Sequence, residues 1–123
     1  MARYDHLPIY KQALELLVYI EQIVKGFSRY NKYTIGTRLR ETCWDVTVLI
    51  VKANNQPTSE RRELLVTLRD KIEEVNIGLS VAKELKVFAK YNSYRHAAKL
   101  AVDLSRQSEG WLKSVSSSPS PES

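Results

Sequence analysis

The residues best suited to chemistry in this chain are cations and tyrosines, and they come in two matching sets. Lys25-Gly26-Phe27-Ser28-Arg29-Tyr30-Asn31-Lys32-Tyr33 recurs sixty-one positions later as Lys86-Val87-Phe88-Ala89-Lys90-Tyr91-Asn92-Ser93-Tyr94. Five positions are identical, and Ser28/Ala89 and Arg29/Lys90 are near-matches. The likeness continues weakly at Arg38-Leu39 against Lys99-Leu100. From 25 to 40 there are five basic residues (Lys25, Arg29, Lys32, Arg38, Arg40) and no acid. From 83 to 99 there are five more (Lys83, Lys86, Lys90, Arg95, Lys99) against Glu84. The two stretches carry a net +9 while the whole chain carries +5, so the remainder is net −4. The charge is segregated, and such clusters neutralise phosphates with release of counterions. Tyr30, Tyr33, Tyr91 and Tyr94 could stack on unpaired bases or on a partner's side chains. The structural alternative is that the rings plug the end of a helical bundle with the cations solvated around them.

Other chemistry has little to stand on. His6 and His96 lack metal-ligand spacing, and His96 lies between the cations Arg95 and Lys99. A di-iron bundle needs Glu-x-x-His on facing helices, and the chain has none. Cys43 is the sole cysteine, which rules out an intramolecular disulfide; beside Trp44 on a helix it reads as a core residue. Glu73, Glu74 and Glu84 read as solvated charges on a helix face. No Gly-rich phosphate loop or nucleophile elbow appears. The chain is expected to be non-enzymatic, with no cofactor and no metal.

Four helical segments must position the cations. The first is expected from Pro8 to Phe27, with Pro8 in a first turn where its missing donor costs nothing. Its apolar stripe is Ile9, Ala13, Leu16, Ile20, Ile23 and Phe27, spaced by three and four. The second spans Thr34 to Ala53 on Leu39, Cys43, Val46, Ile50 and Ala53. Its Val46–Val51 run is β-branched enough to read as a strand, but the flanking pattern extends it to helical length. Asn54-Asn55-Gln56-Pro57-Thr58 breaks the pattern. The third is expected to be capped by Ser59, with Glu60 and Glu63 in its first turn. Its stripe is Leu64, Leu68, Ile72, Val75, Leu79 and Ala82, a heptad-like seam. The fourth is expected from an N-cap at Ser93 to Lys113, on Tyr94, Ala97, Ala101, Leu104, Ser108 and Trp111 or Leu112. Residues 114–123 read as a disordered Ser/Pro tail.

Short links between four helices make an antiparallel up-down-up-down bundle over residues 1–113 the economical fold. The first and third connections then share one end, and these connections are the two near-repeat copies. With 123 residues, 43% apolar, the chain suits one domain with a modest core. Apolar residues exceed what one stripe per helix requires. Leu14, Leu17 and Val18 on the first helix and Val48, Leu49 and Val51 on the second are the expected self-association surface. Their burial would contribute roughly 1.5–3 kcal/mol per side chain. Met1 to His6 lacks the apolar core of a secretory signal, and no apolar run approaches the roughly 20 residues that span a bilayer. The expected compartment is the cytoplasm, with no membrane association.

Three stretches carry a resemblance. Tyr30 to Arg40, Tyr4-Asp5-His6-Leu7-Pro8-Ile9-Tyr10 and Gln107-Ser108-Glu109-Gly110-Trp111-Leu112 resemble the signature of a small four-helix-bundle family. It contains the accessory variability determinant proteins of diversity-generating retroelements. It also includes bundle proteins encoded in intervening sequences of large-subunit ribosomal RNA genes. The resemblance covers residues 3 to 113 and implies a basic, non-enzymatic subunit that assembles into a homopentameric barrel. In the retroelement branch it implies binding to the reverse transcriptase and to template RNA or cDNA, in support of mutagenic retrohoming. The intervening-sequence branch shares the fold without that partner. Lys32, Arg38 and Arg40 are the basic positions of the signature. Lys25, Arg29, Lys86, Lys90, Arg95 and Lys99 join them by charge placement. A protein-interaction oligomer that meets no nucleic acid is the remaining alternative.

Overall fold

The computed structural model of the chain describes residues 4–116. It is all-helical there, with four long helices and no strand. Helix α1 spans Pro8–Val24, and α2 is a single turn, Arg29–Asn31. A π-helical turn, Lys32–Gly36, leads without interruption into α3, Thr37–Asn55. A 3₁₀ turn, Thr58–Glu60, precedes α4, Arg62–Glu84, and α5 runs Tyr91–Ser116. α1 packs on α3 and α5, and α4 packs on the same two, so the long helices form a closed cycle.

The apolar stripes fill the centre, except that Leu65 takes the inward place expected of Leu64 and Val24 that of Ile23, both of which are half-buried. Ile9, Ala13, Leu16, Ile20 and Phe27 meet Leu39, Cys43, Val46, Ile50 and Ala53. Leu68, Ile72, Val75, Leu79 and Ala82 close the core with Ala97, Ala101, Leu104 and Leu112. The Val46–Val51 run is helical: Val46 and Ile50 face inward, while Val48, Leu49 and Val51 are half-buried. Side-chain amides tie the helices where carbonyls or hydroxyls come within reach. Gln12 Nε2 donates to the Leu100 carbonyl at 3.2 Å, and Gln107 Nε2 donates to Gln12 Oε1 at 3.4 Å. Asn76 Nδ2 donates to Ser105 Oγ at 3.1 Å.

The helix ends differ from expectation at several places, and α3 itself runs Thr37–Asn55 rather than Thr34 to Ala53. Ser59 caps nothing, because it lies inside the 3₁₀ turn; Arg61 is the residue before α4, which has no side-chain cap. α5 begins at Tyr91, so Ser93 is already helical, its N–H donating to the Lys90 carbonyl at 3.0 Å. The last helix also extends past Lys113 through Ser116: Ser114 Oγ donates to the Trp111 carbonyl and Val115 packs on the core. The rest of the expected tail, 117–123, lies outside the described residues. α1 stops at Val24 rather than Phe27, although Phe27 remains buried.

The π turn has visible supports. Thr37 Oγ1 donates to the Lys32 carbonyl at 3.3 Å, and Thr34 Oγ1 to the Tyr30 carbonyl at 2.8 Å. These hydroxyls serve carbonyls where the ordinary i→i−4 ladder is widened. Gly36 lets this turn lie against the end of α1: a Cβ there would stand 2.8 Å from Val24 Cγ1 and 3.0 Å from the Asn31 carbonyl oxygen.

Candidate functional site at the basic pole

The two near-repeat copies meet. The Phe27 and Phe88 rings pack edge to face with centroids 5.6 Å apart. Phe88 continues to Tyr94 at 5.8 Å, and Tyr94 to Tyr91 at 5.7 Å. Lys83 Nζ stands 5.2 Å above the Tyr94 ring, within cation–π reach. The aromatics therefore divide by burial. Phe27, Phe88 and Tyr94 close the end of the core. Tyr30, Tyr33 and Tyr91 stand out of it, 77%, 69% and 62% exposed.

The backbone reaches this pole by two routes. After α1, Lys25 keeps a right-handed helical conformation, and Ser28 Oγ accepts from the Asn31 N–H at 3.4 Å to start α2. After α4, Lys86 turns left-handed at φ 59°. Val87 then donates to the Ala82 carbonyl and Lys86 to the Lys83 carbonyl, a Schellman stop. Val87 and Ala82 are both buried, supplying the apolar contact that accompanies this motif. Position C′ is usually glycine because other residues are strained there. Here it carries a cation.

Lys25, Arg29, Arg38, Lys86, Lys90, Arg95 and Lys99 are exposed, and Lys32 is half-buried. Among the described residues none of these eight is in an ion pair. Arg40 differs from the other signature cations: its Nε donates to Glu21 Oε1 of α1 at 2.9 Å. It pins α3 to α1 and is a structural cation rather than an idle one. Arg95 and Lys99 lie along a shallow depression on α5 with Asn92, Tyr94 and Arg106.

Sequence reasoning missed a groove between the start of α3 and the end of α4. It encloses about 700 Å³, with Tyr30, Asn31, Thr34 and Arg38 on one wall and Glu74, Ile77, Val81 and Leu85 on the other. Ile35, Leu39 and Gly78 also line it. Ile77 and Leu85 are each 56% exposed. Ile77, Val81 and Leu85 follow one another at intervals of four, a second apolar stripe beside the core seam of α4, and that spacing is a signal the sequence does carry. A Cβ at Gly78 would stand 2.9 Å from Leu39 Cδ2, so glycine lets the two helices approach at this point.

The expected self-association residues divide. Leu14 and Val18 are exposed on α1, beside Lys11, Glu15 and Gln22. Leu17 is 7% exposed and belongs to the core, which corrects its assignment to a free surface: it shares the inward face with Ala13, Leu16 and Ile20. Val48, Leu49 and Val51 are half-buried, and Leu49 packs against the core. Trp44, not among the expected residues, is exposed on α3.

Cys43 is buried on α3, and burial pushes its thiol up to about 12, with the Glu21 carboxylate of α1 adding to the rise. Such a thiol is a poor nucleophile at neutral pH. Among the described residues no group of three His, Cys, Asp or Glu is placed to hold a metal ion, and no helix is long and apolar enough to cross a membrane. What the pole offers is fixed positive charge, exposed aromatic faces and an adjoining apolar groove. Comparison with models of known protein families and with curated proteins returns no match.

Proposed function

We propose that this chain is a non-enzymatic, basic scaffold that holds nucleic acid at one pole, as an accessory protein to the reverse transcriptase of a diversity-generating retroelement. One observation carries the nucleic-acid half. Two sequence stretches sixty-one residues apart converge through the Phe27–Phe88 contact and carry eight cations that have no ion pair among the described residues, together with three exposed tyrosines. Idle charge of one sign is electrostatically costly unless an anion answers it, and phosphate does so with release of counterions. The reverse-transcriptase partner rests on the family resemblance of Tyr30 to Arg40 and its companion stretches.

The same reading takes the helices as an antiparallel up-down-up-down bundle. Support comes from paired contacts along α1 and α5: Gln12 meets Leu100 and Gln107, whereas Tyr19, farther along α1, meets the earlier His96. It takes the assembly as a homopentamer in the cytoplasm, with Leu14 and Val18 among the contacts between copies.

The test is affinity for a labelled 30-nucleotide RNA as salt is raised from 50 to 300 mM. Neutralising five to seven phosphates of a single strand gives a log–log slope of about −3.5 to −5. Reversing Arg29, Lys86 and Lys90 to Glu together is expected to weaken binding about 100-fold at 50 mM salt. Reversing Lys52, Arg62 and Arg69, which changes net charge equally away from the pole, is expected to leave most of the affinity. Absence of binding at 50 mM salt, or equal losses from both triples, removes the nucleic-acid reading. Co-purification from the native host with a reverse transcriptase, before and after nuclease, tests the partner.

A further inference from the structure

We infer that the groove between α3 and α4 is a seat for an unpaired nucleobase, so that the basic pole selects single strands over duplex. The inference rests on the nucleic-acid reading above and adds where and how the strand is read. The groove opens onto the cationic surface: its rim residues Tyr30 and Leu85 directly follow and precede Arg29 and Lys86 in the chain. In the proposed mode a phosphate answers one of these cations while its base enters the groove.

The lining suits a base. Ile35, Leu39, Ile77 and Val81 offer an apolar bed for a flat ring. Tyr30, 77% exposed at the rim, offers a face on which every base can stack. The Asn31 amide and the Arg38 guanidinium have no side-chain hydrogen bond among the described residues. They bring donors, and one acceptor, to a base edge. Glu74 supplies a carboxylate on the facing wall, paired with Lys71 at 3.6 Å. Donors and acceptors above an apolar floor are what splayed single-stranded bases use and what stacked bases inside a duplex cannot reach. Charge complementarity decides between occupants: Arg38 lines the groove, and the exposed Arg29 and Lys86 adjoin its residues Tyr30 and Leu85 in the chain, so a strand with a phosphate at each nucleotide matches this surface better than an apolar helix would.

The experiment compares four probes on the full chain by fluorescence anisotropy at 100 mM salt: a mixed-sequence single strand, the same sequence as duplex, an abasic strand of equal length, and a free nucleotide. The single strand is expected to bind at least tenfold tighter than both the duplex and the abasic strand. Tyr30→Ala is expected to lower single-strand affinity about 5- to 100-fold without changing the salt slope, because stacking releases no counterions. Tyr30→Phe should retain the affinity. Tyr30 is exposed, and an unchanged helical circular dichroism spectrum confirms that the variant is folded. If abasic and base-bearing strands bind equally and with the same salt dependence, the groove inference is overturned while the basic-pole reading stands. If no probe binds at low salt, both fall. If Ile77→Asp lowers the mass in light scattering yet leaves strand affinity intact, the groove is a contact between copies and the inference is wrong.

Discussion

The two ends of this molecule are closed by opposite means. At the end where α3 stops and α4 starts, a cation does the closing. Arg61 Nε donates to the Gln56 carbonyl at 2.9 Å, and its Nη2 donates to the Asn54 carbonyl at 3.1 Å. Its guanidinium lies 6.0 Å from the Trp111 ring centroid, on the last helix. One side chain thus satisfies orphan carbonyls of α3, complements the negative end of that helix and touches α5. At the other end, the closing is done by Phe27, Phe88 and Tyr94, and by the close approach that Gly36 permits. Apart from Lys83 above the Tyr94 ring and Arg40 on Glu21, the cations there form no ion pair among the described residues. An arginine engaged on carbonyls is a structural part, and an arginine left in water among seven like charges is available to a ligand.

This contrast can be broken first at the aromatic contact. Phe27→Ala removes a buried ring and is expected to cost about 3–5 kcal/mol, a fall in Tm of more than 10 °C in a thermal melt. Phe88→Ala, half-buried, should cost less. A double-mutant cycle between them should leave about 0.5–1.5 kcal/mol of coupling, the part belonging to the edge-to-face pair itself. Coupling near zero would mean that the two copies are merely neighbours, each closing its own corner of the core.

The second test is at the opposite pole. Arg61→Ala is expected to cost about 1–2 kcal/mol in urea unfolding, since charge-assisted bonds to two carbonyls are lost from a partly solvated site. Oligonucleotide affinity should stay as it was, although a positive charge has gone. A matching loss of affinity would erase the distinction between structural and idle cations.

Much of this is legible in the sequence alone. The apolar stripes locate the core because helical spacing leaves little choice about which face turns inward, and Leu68, Ile72, Val75 and Leu79 are all buried as their seam demands. The convergence of the near-repeat copies follows from helix count and short links. What was not legible depends on contacts far apart in the chain. Glu21 takes up Arg40, and no local pattern joins positions nineteen apart on different helices. Ser59 has the right type for a cap, but the 3₁₀ turn and the Arg61 clamp claim that corner. Leu17 looks surplus to the stripe of α1 until α3 and α5 together cover a wider face than one seam. The groove was hidden for the reverse reason: Ile77, Val81 and Leu85 look like ordinary helix-face residues until α3 is seen to leave them uncovered.

The smallest effect is the most telling about the basic pole. Lys86 holds φ 59°, a conformation natural to glycine and strained for lysine. Lys86→Gly should therefore stabilise the fold by about 0.5–1 kcal/mol, because the left-handed stop of α4 is kept and the strain is relieved. The same change removes one exposed cation and should weaken strand binding a few-fold, with a shallower salt slope. Opposite signs in the two measurements would show that the residue is there for its charge. If Lys86→Gly destabilises instead, the lysine stem contributes packing, and its strain says nothing about selection for a ligand. The corresponding first-copy residue, Lys25, sits in relaxed right-handed geometry, so Lys25→Gly should carry no stabilisation while losing a comparable share of affinity. The pair of variants separates what the near-repeat shares, a cation at a helix end, from what it does not, the backbone that presents it.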